Sequence, residues 1–124
     1  MSQQNDSGFR TFTADGAIAI HALVRQTATG VDTCGIAHHA IGTATQAALA
    51  ANDEITVKLI TASGTHKMIA SAALAAGADA FTAASGKVGA SASTAYRVGK
   101  VLEAAGANND VIEVLYLSDG AAVS

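Results

Sequence analysis

Apolar and polar residues alternate along this chain in many short runs separated by small or turn-forming residues. Ile55, Val57 and Leu59 alternate with Thr56 and Lys58, the clearest half-buried strand. Phe9 to Thr13 alternates in the same way before a turn at Asp15-Gly16. Ile18, Ile20, Ala22 and Val24 then alternate with Ala17, Ala19, His21 and Leu23, which predicts a two-faced strand. Further strands are predicted over 35–41, 66–70, 96–104 and 111–117. Phe81 to Ala83 and Lys87 to Gly89 flank Ser85-Gly86 as a hairpin. The alanine-rich stretch 44–51 has no large residue except Leu49 and reads as a loop with one helical turn. Residues 71–77 fit either a helix or a loop, because Gly77 stops any helix within two turns.

These runs predict a mainly β fold: a small single-domain β-barrel or β-sandwich with short alanine-rich loops or helical turns. Residues 9–117 form the β-rich domain, preceded by a polar arm over 1–8 and followed by a tail over 118–124. One internal echo points to pseudo-symmetry. Asn52-Asp53-Glu54-Ile55-Thr56-Val57 and Asn109-Asp110-Val111-Ile112-Glu113-Val114 share the pattern N-D-x-I-x-V, a turn followed by alternate β-branched residues. Each copy follows a glycine-bearing segment (Gly35, Gly99) and an alanine-rich connection, so two similar β units are expected.

Composition changes this picture in one respect. Of 124 residues half are hydrophobic, yet only 4% are aromatic, Trp and Pro are absent, and about a quarter are alanine. Alanine buries little area, so the core must lean on scattered Ile, Val and Leu, and support from oligomerisation or from a larger assembly is expected. Charge is sparse at 14% with a net of -3, and there is no basic cluster, which argues against nucleic-acid binding. No apolar run approaches the roughly 20 residues of a membrane span. No basic segment leads into an apolar one at the start, so no signal peptide is predicted and synthesis in a cytoplasm is expected.

Candidate chemistry is thin. His38 and His39, read as strand neighbours, would point to opposite faces, and His21 and His66 would have to approach one of them to bind a metal. Cys34 near this pair lacks the surroundings of a nucleophile and reads as a small buried hydrophobe. Asp53-Glu54 and Asp110 precede strands and read as turn residues rather than acid–base groups. The glycines fall at expected turns and bulges, with neither GxGxxG nor GxxxxGK[ST] among them. No enzymatic activity, cofactor or metal is therefore expected. The bland surface of Thr, Ser and Ala would lie against another protein with little charge to desolvate.

The words Lys67-Met68-Ile69-Ala70-Ser71-Ala72-Ala73, Ala75-Ala76-Gly77-Ala78 and Ala83-Ala84-Ser85-Gly86-Lys87-Val88 give the second half a recognisable middle. Arg97-Val98-Gly99-Lys100-Val101-Leu102-Glu103-Ala104-Ala105 and Asn109-Asp110-Val111-Ile112-Glu113-Val114-Leu115 give it an end. In their order, over residues 17–117, these resemble the capsid cement or head decoration proteins of tailed bacteriophages. The resemblance implies a β-rich virion protein on the outer capsid surface, made in the bacterial cytoplasm. It further implies a homotrimer at threefold or quasi-threefold axes whose partner is the phage major capsid protein. Phe9, Arg10, Thr11 and Phe12 are the expected capsid or subunit contacts, since aromatics and Arg dominate interfaces. Phe9 and Phe12 are equally compatible with the core of the first strand. The alternative function is a surface-displayed β module that binds a host glycan or receptor, although the chain has no Trp and only Tyr96 and Tyr116 for stacking on a sugar.

Overall fold

The computed structural model describes residues 7–117, so residues 1–6 of the expected arm and the expected tail over 118–124 lie outside the described residues. Among the described residues there are ten strands: β1 (Phe9–Thr13), β2 (Leu23–Gln26), β3 (Val31–Thr33), β4 (Gly42–Ala44), β5 (Glu54–Leu59), β6 (His66–Ile69), β7 (Asp79–Thr82), β8 (Val88–Gly89), β9 (Arg97–Val101) and β10 (Val111–Tyr116). They form two antiparallel five-stranded sheets, ordered β1-β5-β4-β2-β3 and β6-β10-β9-β7-β8. Helical structure among the described residues is limited to a 3-10 turn at Ala84–Gly86.

The two orders are one order repeated. Val24 faces Gly42 as Ala80 faces Gly99, and Ile55 faces Phe12 as Ile112 faces Met68. The loop hydrogen bonds repeat as well. Ala14 N donates to Asp53 O and Ala70 N to Asp110 O; Ile60 N donates to Ile41 O and Leu117 N to Val98 O. In each unit a parallel bridge, Ala14 to Val31 or Ala70 to Val88, joins the two outer strands of the sheet and curls it into a small barrel. The N-D-x-I-x-V echo is the sequence trace of this duplication. Asn52 and Asn109 both adopt left-handed φ, at 74° and 75°, where Asn is tolerated. Asp53 and Asp110 each accept two loop amides, from Leu49 and Ala50 and from Gly106 and Ala107.

Three expected elements differ. Residues 17–24 are not one strand: His21 takes φ 68°, Ile18 makes only an isolated bridge to Ala48, and the strand starts at Leu23. Residues 35–41 form a loop, and the strand follows at Gly42. The helical turn expected in 44–51 is absent, because Ala48 bridges to Ile18; the stretch 71–77 takes the loop of its two expected alternatives, pinned by the Leu74–Ala105 bridge.

Each barrel has its own core. The first contains Ile18, Val24, Val31, Ile55 and Val57, with Phe12, Ile41 and Leu59 packed at its margin. The second contains Met68, Leu74, Val88, Val98, Val101, Ile112 and Val114, and it also takes in Leu23, Cys34 and Ala40 from the first barrel. Alanine and glycine let strands approach closely. A Cβ at Gly42 would overlap the Lys58 carbonyl oxygen, and one at Gly99 the Leu115 carbonyl oxygen.

Leu23→Ala should lower unfolding stability by about 2–5 kcal/mol, as expected for a fully buried leucine. Gly99→Ala should cost about 1–3 kcal/mol through the overlap with Leu115. Both are read from denaturant midpoints at constant slope, and a single transition by fluorescence and circular dichroism would show that the two barrels unfold together.

Candidate functional site

The joint between the barrels and the edge strand β1 gather the chain's chemically distinctive side chains. At the joint several backbone carbonyls of the first barrel meet donors of the second, and Lys58 of the first donates in the other direction. Gly86 N donates to Cys34 O at 2.8 Å, Thr82 Oγ1 to Ile36 O at 2.6 Å and Tyr116 OH to Ala40 O at 3.1 Å. His66 Nε2 lies 3.1 Å from Leu59 O, and Lys58 Nζ donates to Thr65 O. The loop 35–41 thereby places the carbonyls of Ile36 and Ala40 on the second barrel.

His66 is 1% exposed, and among the described residues its Nδ1 has no partner. Burial therefore pushes its pKa down, reinforced by the nearby Lys58 charge and opposed by the Leu59 carbonyl. A proton on Nδ1 would add a second buried N–H with nothing to receive it. Burial pushes the Cys34 thiol up to about 11, and its Sγ lies 3.4 Å from the carbonyls of Gly35 and His38. A thiolate is strongly disfavoured there. Tyr116, desolvated at the same joint, is likewise raised.

Beside the joint a groove of about 620 Å³ opens between the barrels. His21, Thr43, Thr45 and Lys58 line it from the first barrel, and Thr65, His66, Lys67, Glu103, Val111 and Glu113 from the second. Thr65 Oγ1 donates to Glu113 Oε2 at 2.6 Å, which pins one wall. Sequence reasoning missed this groove because its residues come from distant strands. The readable signal was the duplication, which sets β4 and β5 of one unit near β6 and β10 of the other.

The histidines do not converge. His38 Nδ1 accepts from Gly35 N at 2.9 Å, and His39 stacks on Tyr96 with ring centroids 3.7 Å apart. Both lie in the 35–41 loop, so the expected strand geometry for this pair does not hold. Among the described residues no group of three His, Cys, Asp or Glu side chains could hold a metal ion, and no helix is long and apolar enough to cross a membrane.

The four expected contact residues all lie on β1, which pairs only with β5 in its sheet. Phe9 is 43% exposed, Arg10 and Thr11 are exposed, and Phe12 is half-buried against the first core. The Arg10 guanidinium covers the Phe12 ring at 4.8 Å from its centroid. β1 thus divides the two roles read from the sequence, since Phe12 packs inward at the place of Met68 while Phe9 faces solvent. A second charged cluster lies on β7 and β9, where Asp79 meets Lys100 at 2.8 Å and Arg97 at 3.3 Å. The Lys100 hydrogen bond is the largest influence holding the Asp79 carboxyl below its usual value.

No family model matches the chain, and no curated protein matches it. Among solved structures it is similar to the N base of head fiber gp8.5 in bacteriophage phi29. That match has a TM-score of 0.72 and 13% identity, and it covers 88% of this chain and 92% of the other. At this identity the likeness is one of fold.

The His66 environment predicts an acid step. A group whose folded pKa is lowered binds more protons when unfolded, so stability is full above the unfolded histidine value near 6.5 and falls as pH drops below it. His66→Phe should flatten that step in pH-dependent denaturant midpoints. The loss linked to the lowered carboxyls of Asp15 and Asp79, which begins nearer pH 4, should remain. Cys34 should react with a thiol reagent at a negligible rate in the native protein and stoichiometrically after unfolding.

Proposed function

We propose that this chain is a structural virion protein of a tailed bacteriophage that binds the outside of the capsid and stabilises the lattice of major capsid proteins. The observation that carries the reading is the near end-to-end likeness of its double barrel to the phi29 head fiber base, at 88% and 92% coverage. The order of motifs in the second half, which resembles cement proteins, supports the same reading from independent grounds.

The physical features agree with a scaffold. A charge-poor surface of Ala, Ser and Thr loses little side-chain entropy and desolvates few charges on docking. Several modest contacts made at once with neighbouring capsid subunits would give strong retention. A ligand that prefers the assembled lattice stabilises it by mass action. In this reading the protein is a homotrimer at threefold or quasi-threefold axes, and β1 belongs to its contact surface.

Purified protein added to expanded capsids that lack it should bind saturably and raise the temperature at which the particles disrupt. A protein that leaves capsids untouched but binds a glycan array or host cells would overturn this reading in favour of a receptor-binding module.

A further inference from the structure

Two loops, residues 16–21 and 45–53, close the first barrel at the end where β1 finishes and β5 begins. They lie side by side, because Ile18 and Ala48 exchange both backbone hydrogen bonds, at 3.0 and 2.9 Å, and His21 N donates to Ala44 O. From Ala17 to Ile20 and from Thr45 to Ala51 there is no charged residue. Ala17, Ala19, Ala47 and Ala50 are exposed in these loops, and with them Ile20 at 46% and Leu49 at 86%. Apolar residues exposed singly are ordinary on a protein surface, whereas a joined, charge-free apolar area marks a contact surface.

The duplication supplies an internal comparison. Leu49 N and Ala50 N donate to Asp53 Oδ2 at 2.9 and 3.2 Å, as Gly106 N and Ala107 N donate to Asp110 Oδ2 at 2.8 and 3.1 Å. Leu49 therefore occupies the place of Gly106. Ile20, two residues after the bridged Ile18, occupies the place of Ala76, two residues after the bridged Leu74. The second barrel closes on the same backbone pattern with no large side chain at either position, so folding does not require Ile20 or Leu49. The Asp53 carboxylate and the left-handed Asn52 fix the backbone that carries Leu49. A leucine presented on a fixed turn has little further freedom to lose on docking.

The chain enters β1 and leaves β10 at the other end of the barrels. Gly8 O receives Leu59 N, and Leu117 N donates to Val98 O in the place where Ile60 N donates to Ile41 O. The chain beyond the described residues therefore starts away from Ile20 and Leu49. The groove of a second copy gives Leu49 no apolar seat, since Lys58, Lys67, Glu103 and Glu113 line its walls. A lipid surface is the poorer fit as well, because neither loop carries a Lys or Arg to meet anionic headgroups. We infer that the Ile20–Leu49 end of the first barrel is the surface that seats on the capsid, with Leu49 entering an uncharged, apolar recess of the major capsid protein. The inference rests on the proposed function for the identity of this partner.

Equilibrium binding of the full chain to expanded capsids that lack it tests the inference. Leu49→Gly and Ile20→Ala should each keep the wild-type circular dichroism and unfolding midpoint, and together they should weaken capsid binding at least about tenfold. Leu49→Cys can be labelled at that position alone with a benzophenone maleimide, because Cys34 is buried. On irradiation it should cross-link to the major capsid protein, whereas Ser63→Cys, at the opposite end of the barrel, should not. Equal binding by the wild type and the double variant, with no cross-link from position 49, would overturn the inference and leave the capsid reading standing. A wild type that binds no capsid would overturn both. Flotation of the wild type with vesicles of phosphatidylglycerol and phosphatidylethanolamine, lost in the double variant, would overturn the choice of a protein partner.

Discussion

Leu23, Cys34 and Ala40 leave the first barrel to complete the core of the second, and this transfer is the contact on which the remaining structure depends. Each barrel is short-stranded and rich in alanine, so neither encloses much apolar area. A buried leucine contributes about 1.5–3 kcal/mol, a large share of what so small a core can supply. The contribution arrives only if the loop 35–41 stays in place, and that loop is held by Gly86, Thr82 and Tyr116 of the second barrel. Packing and hydrogen bonding at the joint therefore reinforce each other. Buried His66 and half-buried Tyr116 face backbone carbonyls of the first barrel through His66 Nε2 and the Tyr116 hydroxyl, while His66 Nδ1 is left without a partner among the described residues.

Duplication explains why the two barrels could diverge without losing the fold. The positions that set topology are kept in both: Gly42 and Gly99 for close strand approach, Asn52 and Asn109 for left-handed turns, Asp53 and Asp110 for amide capture. The positions that face outward differ, with Lys58 against Leu115 and Thr45 against Leu102. A fold specified by backbone constraints leaves its surface positions free to differ, and here they do.

The sequence by itself determined much of the β architecture. Alternation at Ile55, Val57 and Leu59, the hairpin at Ser85-Gly86 and the repeated N-D-x-I-x-V words each act over a few residues, within reach of turn chemistry and a two-residue period. They were enough for a mainly β fold with two related units and for Phe9 to Phe12 as a strand, though not for which of its aromatics is exposed. Tertiary structure alone decided what depends on distant residues. His21 and Ala48 show local preference overridden, since a left-handed residue interrupts an alternating run and an alanine-rich loop is pinned by its bridge to Ile18. The carbonyl-lined joint, the burial of His66 and the groove between Lys58 and Glu113 depend on how one barrel sits on the other. That placement is set by side chains far apart in the chain, which no local pattern encodes.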